Sequence, residues 1–140
     1  MRSTRDKGRA FESWCKKFLE ADGWAVHLCG RKAKMIGPGR MITVGDDIFG
    51  CDLVAIRSGF MTLFVQTTLD SGVAKRLNKF LAYPWNLNHQ LVELWQKKPG
   101  GEVVVQRFTG SRLHEMERII RGKRYRADVS LPAQPDGEEV

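Results

Sequence analysis

The apolar positions near the start of the chain repeat with the spacing of a helix. Between Thr4 and Asp22 they recur at i, i+3, i+4, i+7 and i+8, which places them on one stripe of an amphipathic helix. Gly23 follows, and glycine commonly ends a helix. The pattern therefore predicts a first helix from Thr4 to Asp22 and a strand at 24–29. The stripe consists of Phe11, Trp14, Cys15, Phe18 and Leu19.

The next segments predict a loop and then a hairpin. Residues 30–47 contain four glycines among basic residues, which predicts a mobile loop. Residues 50–68 contain two apolar runs around the segment RSG, and a three-residue turn there places Asp52 opposite Phe64. Gln66 is then the diagonal neighbour of Asp52 on the same sheet face. A two-residue turn would separate the two side chains, so their proximity depends on the turn.

The second half of the chain predicts a helix, a hairpin and another helix. Apolar residues have helical spacing over 73–83, and Pro84 stops that helix. Two apolar runs flank KKPGG and predict a hairpin over 89–108. Ser111 is a candidate cap for a last helix over 112–121.

Length and charge favour one basic domain. A chain of 140 residues that is 42% hydrophobic can bury one core without disulfides or metals. Residues 1–125 carry 22 of the 23 Lys and Arg residues but 12 of the 16 Asp and Glu residues. We therefore expect a single domain at 1–127 and a disordered acidic tail at 128–140. The basic excess favours a polyanionic partner such as nucleic acid, and a charge that serves solubility is the alternative.

The cysteines and the first residues of the chain indicate the cellular compartment of the protein. Cys15, Cys29 and Cys51 are odd in number and widely spaced among apolar residues, which predicts reduced core residues. The first residues lack the apolar segment of a signal peptide, and no apolar run approaches membrane-spanning length. We expect a cytoplasmic protein without a membrane partner, or one in the host cytoplasm if a phage encodes it.

The order of these elements resembles the PD-(D/E)xK nuclease superfamily, especially the archaeal-type and phage Holliday junction resolvases. The resemblance is carried by KGRAFE (7–12), GCDLVAI (50–56) and FVQTT (64–68), and it covers roughly the first 85 residues. It implies an α/β (α+β) fold of the restriction-endonuclease type. Such a fold has an αβββαβ core with a central mixed sheet flanked by helices.

The same resemblance implies a metal site formed by Glu12, Asp52 and Gln66. These oxygens would hold one or two Mg²⁺ ions, for which Mn²⁺ can substitute, and the ion would activate a water for attack on a phosphate. Thr68 stands where the family has a catalytic lysine. Either catalysis is impaired or another cation replaces the lysine, and Lys75 on the next helix is the favoured replacement.

Several basic residues are candidate phosphate contacts, because they lie beside these motifs in the sequence. A solvated surface is the alternative for each of them, as an ordinary boundary position is for Glu12 and a polar strand end is for Gln66. The candidates are Lys7, Arg9, Arg31, Lys32, Lys34, Arg40, Arg76 and Lys79.

The sequence thus predicts a Mg²⁺-dependent endodeoxyribonuclease, and the resemblance implies a Holliday junction resolvase that acts on branched DNA in recombination and repair. The resemblance also implies a homodimer, because two symmetric nicks require two sites. Thr68 and Gln66 favour an alternative, a non-catalytic nucleic-acid-binding protein with the same fold. A restriction-like or RNA-directed nuclease is a third interpretation.

Overall fold

The computed structural model describes residues 3–29, 31–45, 47–69 and 71–127, with the backbone alone at 31–34 and 42–45. The predicted acidic tail lies outside the described residues. Within them the chain forms two helices and nine strands. In chain order these are α1 (Thr4–Ala21), β1 (Ala25–Leu28), β2 (Arg31–Gly37), β3 (Arg40–Gly45), β4 (Leu53–Ile56), β5 (Thr62–Leu69), α2 (Val73–Leu81), β6 (Gln90–Lys97), β7 (Val103–Phe108), β8 (Leu113–Ile120) and β9 (Lys123–Arg126).

Seven strands form one mixed sheet in the order β1-β4-β5-β6-β7-β8-β9. Neighbouring strands run antiparallel except β5 and β6, which are parallel. The connection between these two strands contains α2, because parallel neighbours need a crossover from one end of the sheet to the other. The remaining strands, β2 and β3, form a separate hairpin between β1 and β4 in the chain. The general prediction of a mixed sheet flanked by helices is confirmed.

The two helices cover opposite faces of the sheet. Helix α1 buries Phe11, Cys15 and Leu19 against a core cluster that includes Leu53 and Val65 of β4 and β5. On the other face, Phe64 of β5 packs in a second cluster that includes Phe80 of α2. The sheet separates the two helices, so side chains from both can meet only beyond an end of its strands.

All three cysteines are buried, as predicted, and their thiols are not joined in disulfides. Among the described residues, neither helix has the length and apolar character needed to cross a membrane.

The predicted register of the β4–β5 hairpin is wrong by two residues. Val54, rather than Asp52, lies opposite Phe64, because a longer turn, residues 57–61, separates the strands. Gly59 has the predicted left-handed conformation, with φ of 84°. A shift of two residues preserves the side-chain alternation, so Val54 and Phe64 share a face as predicted. Asp52, which precedes β4, bonds to Thr67 instead of being the predicted neighbour of Gln66.

The predicted loop at 30–47 is also wrong. Residues 31–45 of this segment form the β2–β3 hairpin, in which Met35 lies opposite Met41. The turn contains Pro38 and Gly39, and the φ of Gly39 is 69°. Proline followed by glycine favours a tight turn, so the glycine-rich composition here marks a hairpin rather than a mobile loop.

The last predicted helix, 112–121, is wrong as well. The segment forms β8 beside β7, and it then turns into β9. Arg118 extends from β8 to Glu102, with Nη1 at 2.8 Å from the carboxylate. Pairing with the free edge of β7 outweighs the local helical pattern, because it satisfies a full row of backbone groups.

Candidate active site

A cleft of about 890 Å³ opens at the end of β5, between the first turns of α1 and of α2. Its walls combine carboxylates with cations that come from segments far apart in the sequence. The charged and hydroxyl side chains of interest in its lining are Arg5, Arg9, Glu12, Asp47, Asp52, Thr67, Thr68, Lys75, Arg76 and Lys79.

Asp52 is anchored in this cleft by Thr67. The backbone N–H of Thr67 donates to Oδ2 of Asp52 at 2.8 Å, and the hydroxyl of Thr67 donates to the same oxygen at 3.0 Å. This leaves the second oxygen, Oδ1, for contacts in the cleft. Burial raises the pKa of Asp52, whereas the bonds from Thr67 and the charges of Arg76 and Lys79 lower it. The raised pKa of Asp52 therefore reflects burial that these donors and cations offset only in part.

Glu12 approaches the same region from α1. Burial raises the pKa of the Cys15 thiol, and the charges of Glu12 and Asp52 raise it further, so both carboxylates lie near this thiol. Gly8, one turn before Glu12, also lines the cleft, and a Cβ atom added there would meet no atom within 4 Å. The predicted pair of Glu12 and Asp52 is thus brought together at one cleft.

Gln66 has a different environment from Asp52. It is fully buried, does not line the cleft, and its Nε2 donates to the carbonyl oxygen of Gly50. Its Oε1 is buried and has no hydrogen-bond partner among the described residues. The amide therefore has a structural role, and metal ligation by Gln66 stays a prediction.

Thr68 lines the cleft, but its hydroxyl is occupied. Its Oγ1 lies 2.7 Å from the carbonyl oxygen of Ser71 and 3.0 Å from that of Leu69. A hydroxyl has one proton, so these carbonyls compete with any reacting water for it. Thr68 fixes the turn before α2, and Lys75 in the first turn of that helix lines the cleft as the predicted replacement cation.

The N-terminus of α2 opens into the cleft. Gly72 precedes the helix with φ of 89°, and no side chain in the described part of the chain caps the helix. Ser71 and Gly72 both line the cleft. The first backbone N–H groups of a helix lack partners within the helix and favour anions, so this end of α2 suits a phosphate.

The predicted basic residues divide into three groups. Arg9, Arg76 and Lys79 line the cleft, whereas Lys7 and Arg40 are exposed outside it. The side chains of the other three lie outside the described residues; these are Arg31, Lys32 and Lys34.

Sequence reasoning missed Arg5 and Thr67. Arg5, Arg9 and Glu12 have the spacing i, i+4 and i+7, which places them on one face of α1. That spacing could have identified Arg5. Thr67 gave no comparable signal, because its role depends on where the chain brings Asp52.

The carboxylates of the cleft suit a hard cation only in part. Within the described part of the chain, no group of three His, Cys, Asp or Glu residues is arranged to hold a metal ion. Asp52 and Glu12 can supply two oxygen ligands, and Mg²⁺ usually keeps several waters when few protein ligands are present. The donor set therefore fits a loosely held Mg²⁺ better than a fully enclosed metal.

The chain gives no match to a family model, to a curated protein or to a solved structure. The cleft brings together carboxylates, cations from two helices and a helix N-terminus that no side chain of the described residues caps.

Proposed function

We propose that the protein is a metal-dependent endonuclease that hydrolyses phosphodiester bonds of branched DNA. One observation carries the proposal: Asp52 and Glu12 lie in a single cleft whose other charged residues are mostly cations. Carboxylates suit a divalent ion, and cations around them suit the backbone of a polyanion. A Holliday junction is the substrate that the resemblance of the sequence implies.

The order of elements supports the same proposal. Without the β2–β3 hairpin, the chain runs α1, β1, β4, β5, α2, β6, which has the order of an αβββαβ core. In this order Glu12 lies on the first helix, and Asp52 precedes the second strand of the core. These are the positions at which the resolvase-like nucleases are expected to place their carboxylates.

The residues of the chain have separate tasks in this proposal. Glu12 and Asp52 hold the ion, and Thr67 fixes the orientation of Asp52. Mg²⁺, when bound, supplies a water of lowered pKa and offsets the charge that grows on the phosphate. Arg76 and Lys79 place the DNA backbone against these groups.

Lys75 is the proposed catalytic cation. It lies in the first turn of α2, beside the first backbone N–H groups of the helix, which favour a phosphate. An ammonium group there stabilises the negative charge of the transition state, as the missing lysine at position 68 would. The occupied hydroxyl of Thr68 cannot supply that charge.

The direct test is cleavage of a labelled four-way junction and of a matched duplex in Mg²⁺ or Mn²⁺. The wild type should nick the junction in two symmetric positions, and Asp52→Asn should abolish nicking. Asp6→Asn is the control, because Asp6 is exposed on the same end of α1 but does not line the cleft. If the wild type nicks the junction with neither Mg²⁺ nor Mn²⁺, the proposal is contradicted.

A second candidate function is supported by Thr68 and Gln66. The hydroxyl of Thr68 and the Nε2 of Gln66 both hydrogen-bond to backbone carbonyl oxygens of the fold. If the chain only binds nucleic acid, junction binding will be tight, dependent on salt and independent of Mg²⁺, with no cleavage. Asp52→Asn will then leave binding unchanged.

We also propose a homodimer, because symmetric nicking of a junction needs two copies of the cleft. Sedimentation of the free protein and of its junction complex measures this directly. One protomer in each complex, together with paired nicks, would contradict it.

A further inference from the structure

An exposed aromatic side chain is held in an uncommon backbone conformation beside the cleft. Phe49 has φ of 51°, and among the described residues only Arg121 shares a positive φ without being glycine. Phe49 and Gly50 form a two-residue turn, closed by backbone hydrogen bonds between Ile48 and Cys51. Such turns favour Asn, Asp or Gly at the first central position, so a bulky phenylalanine is not explained by the turn itself.

The ring of Phe49 is supported from beneath by other aromatic rings. Its centroid lies 5.7 Å from that of Tyr83, 6.0 Å from that of Trp85 and 6.4 Å from that of Phe64. Trp85 is fixed in turn, because its Nε1 donates to the carbonyl oxygen of Phe80 at 2.9 Å. Phe49 is nevertheless 54% exposed, so the neighbouring aromatic side chains hold its ring at the surface, where solvent can reach it.

This aromatic cluster, formed by Phe49, Tyr83 and Trp85, adjoins the cleft. Asp47, two residues before Phe49, lines the cleft. A Cβ atom added to Gly50 would lie 3.4 Å from the ring of Tyr83 and 4.0 Å from the Cβ of Lys79, another lining residue. Gly50, the neighbour of Phe49 in the turn, thus lies close to both Tyr83 and Lys79, so the aromatic cluster adjoins a cationic residue of the cleft lining.

We propose that Phe49 stacks on an unpaired or unstacked nucleobase when DNA occupies the cleft. Every base has an aromatic face, so stacking on a protein ring tolerates any sequence. Lys79 favours a polyanion over an apolar protein partner at this position. Bases within a continuous duplex are stacked on each other, so the ring selects DNA that has a branch point or a single-stranded stretch. This inference rests on the proposed function, and it identifies the feature of the substrate that is recognised.

The test uses Phe49→Asn, because asparagine accepts the left-handed conformation and should preserve the turn. Phe60→Asn is the matched control: Phe60 is 52% exposed but lies in the β4–β5 turn, at the other end of these strands from Asp52. Affinity is measured in EDTA for a four-way junction and for a linear duplex. Both DNAs carry the fluorescent base 2-aminopurine at the same sequence position. In the junction this position lies at the branch point. Melting temperatures verify that both variants fold.

We expect the wild type to raise the 2-aminopurine fluorescence of the junction but not of the duplex. Phe49→Asn should lose this rise and bind the junction about tenfold more weakly, with duplex affinity unchanged. Phe60→Asn should behave as the wild type does. Equal junction affinity in Phe49→Asn and wild type, or equal loss on junction and duplex, would overturn the inference.

Two outcomes separate this inference from the proposed function. A fluorescence rise that depends on Phe49, in a protein that cleaves nothing, supports base stacking and contradicts the nuclease. Junction cleavage that Phe49→Asn leaves unchanged, with unchanged affinity, supports the nuclease and overturns base stacking. A shift of the protein from dimer to monomer in Phe49→Asn would mean that a second copy of the chain covers the ring, which also overturns it.

Discussion

Thr67 donates two hydrogen bonds to one oxygen of Asp52, from its backbone N–H at 2.8 Å and from its hydroxyl at 3.0 Å. Burial raises the pKa of Asp52, and these two bonds oppose that rise. Thr67 therefore does two things for Asp52: it fixes the orientation of the carboxylate, and it favours the charged form that a metal ion needs.

Removal of the Thr67 hydroxyl should make Asp52 a weaker ligand. Thr67→Val keeps the shape and the backbone bond, but the pKa of Asp52 should rise further. We expect junction cleavage to fall by about tenfold near neutral pH, because one hydrogen bond to a charged group is lost. The acidic limb of the rate profile should move to higher pH. Thr67→Ser keeps the hydroxyl and should restore the wild-type profile, and an unmoved limb in Thr67→Val would contradict the role of this bond.

Asp52 should lower the stability of the folded protein at neutral pH. Its pKa is higher in the folded state than the ordinary value of 3.8, so ionisation is unfavourable for folding. That penalty is complete above the folded-state pKa and disappears as the pH falls below 3.8. In EDTA, Asp52→Asn should therefore melt at a higher temperature than wild type at pH 7, and the difference should vanish at low pH. An equal or lower melting temperature at pH 7 would be inconsistent with this balance.

The charge of Lys75 should matter for the reaction more than for binding. Lys75→Met keeps the aliphatic part of the side chain and removes the ammonium group. We expect cleavage to slow by about 100-fold, a typical effect of losing one group that stabilises transition-state charge. Junction affinity should fall only as far as one lost phosphate contact requires. Lys7→Met, an exposed lysine outside the cleft, is the control, and equal effects of the two variants on cleavage would show that Lys75 has no special role.

Gln66→Glu distinguishes a structural amide from a metal ligand. The variant replaces the donor to the Gly50 carbonyl with a buried carboxylate. We expect the free energy of unfolding to fall by about 1–3 kcal/mol, because the carbonyl and the new carboxylate are both acceptors. Mg²⁺ should not restore it. Chemical denaturation with and without Mg²⁺ measures both effects, and full recovery in Mg²⁺ would identify residue 66 as a ligand position.

The first helix and the strand faces could be predicted because each depends on local periodicity. The β4–β5 register could not, because the turn is longer than the segment RSG suggests. The sequence did not predict strand β8, and the reason is different. Its apolar residues also fit a helix, and the deciding factor is the edge of β7, which only the folded sheet presents.

The sequence could predict that Glu12 and Asp52 lie together, but it could not predict the hydrogen-bond partner of Gln66 in β5. Glu12 and Asp52 were identified by their places in the order of elements, and both line the cleft. The partner of Gln66 is the Gly50 carbonyl, which reaches it only because Phe49 and Gly50 form a tight turn. A phenylalanine at the first turn position gives no sequence signal for such a turn, so this contact was not predictable.

The β2–β3 hairpin leaves and rejoins the sheet at one point. The N–H of Cys29 donates to the carbonyl oxygen of Asp52 at 2.7 Å, and Leu28 already pairs with Leu53 beside it. The two ends of the insertion are thus joined by the sheet itself, and the strand order does not depend on what lies between them. The hairpin itself, residues 31–45, can therefore change in length or sequence without altering the strand order, whereas Asp47 and the turn at Phe49 and Gly50, which follow it, must keep their places beside the cleft.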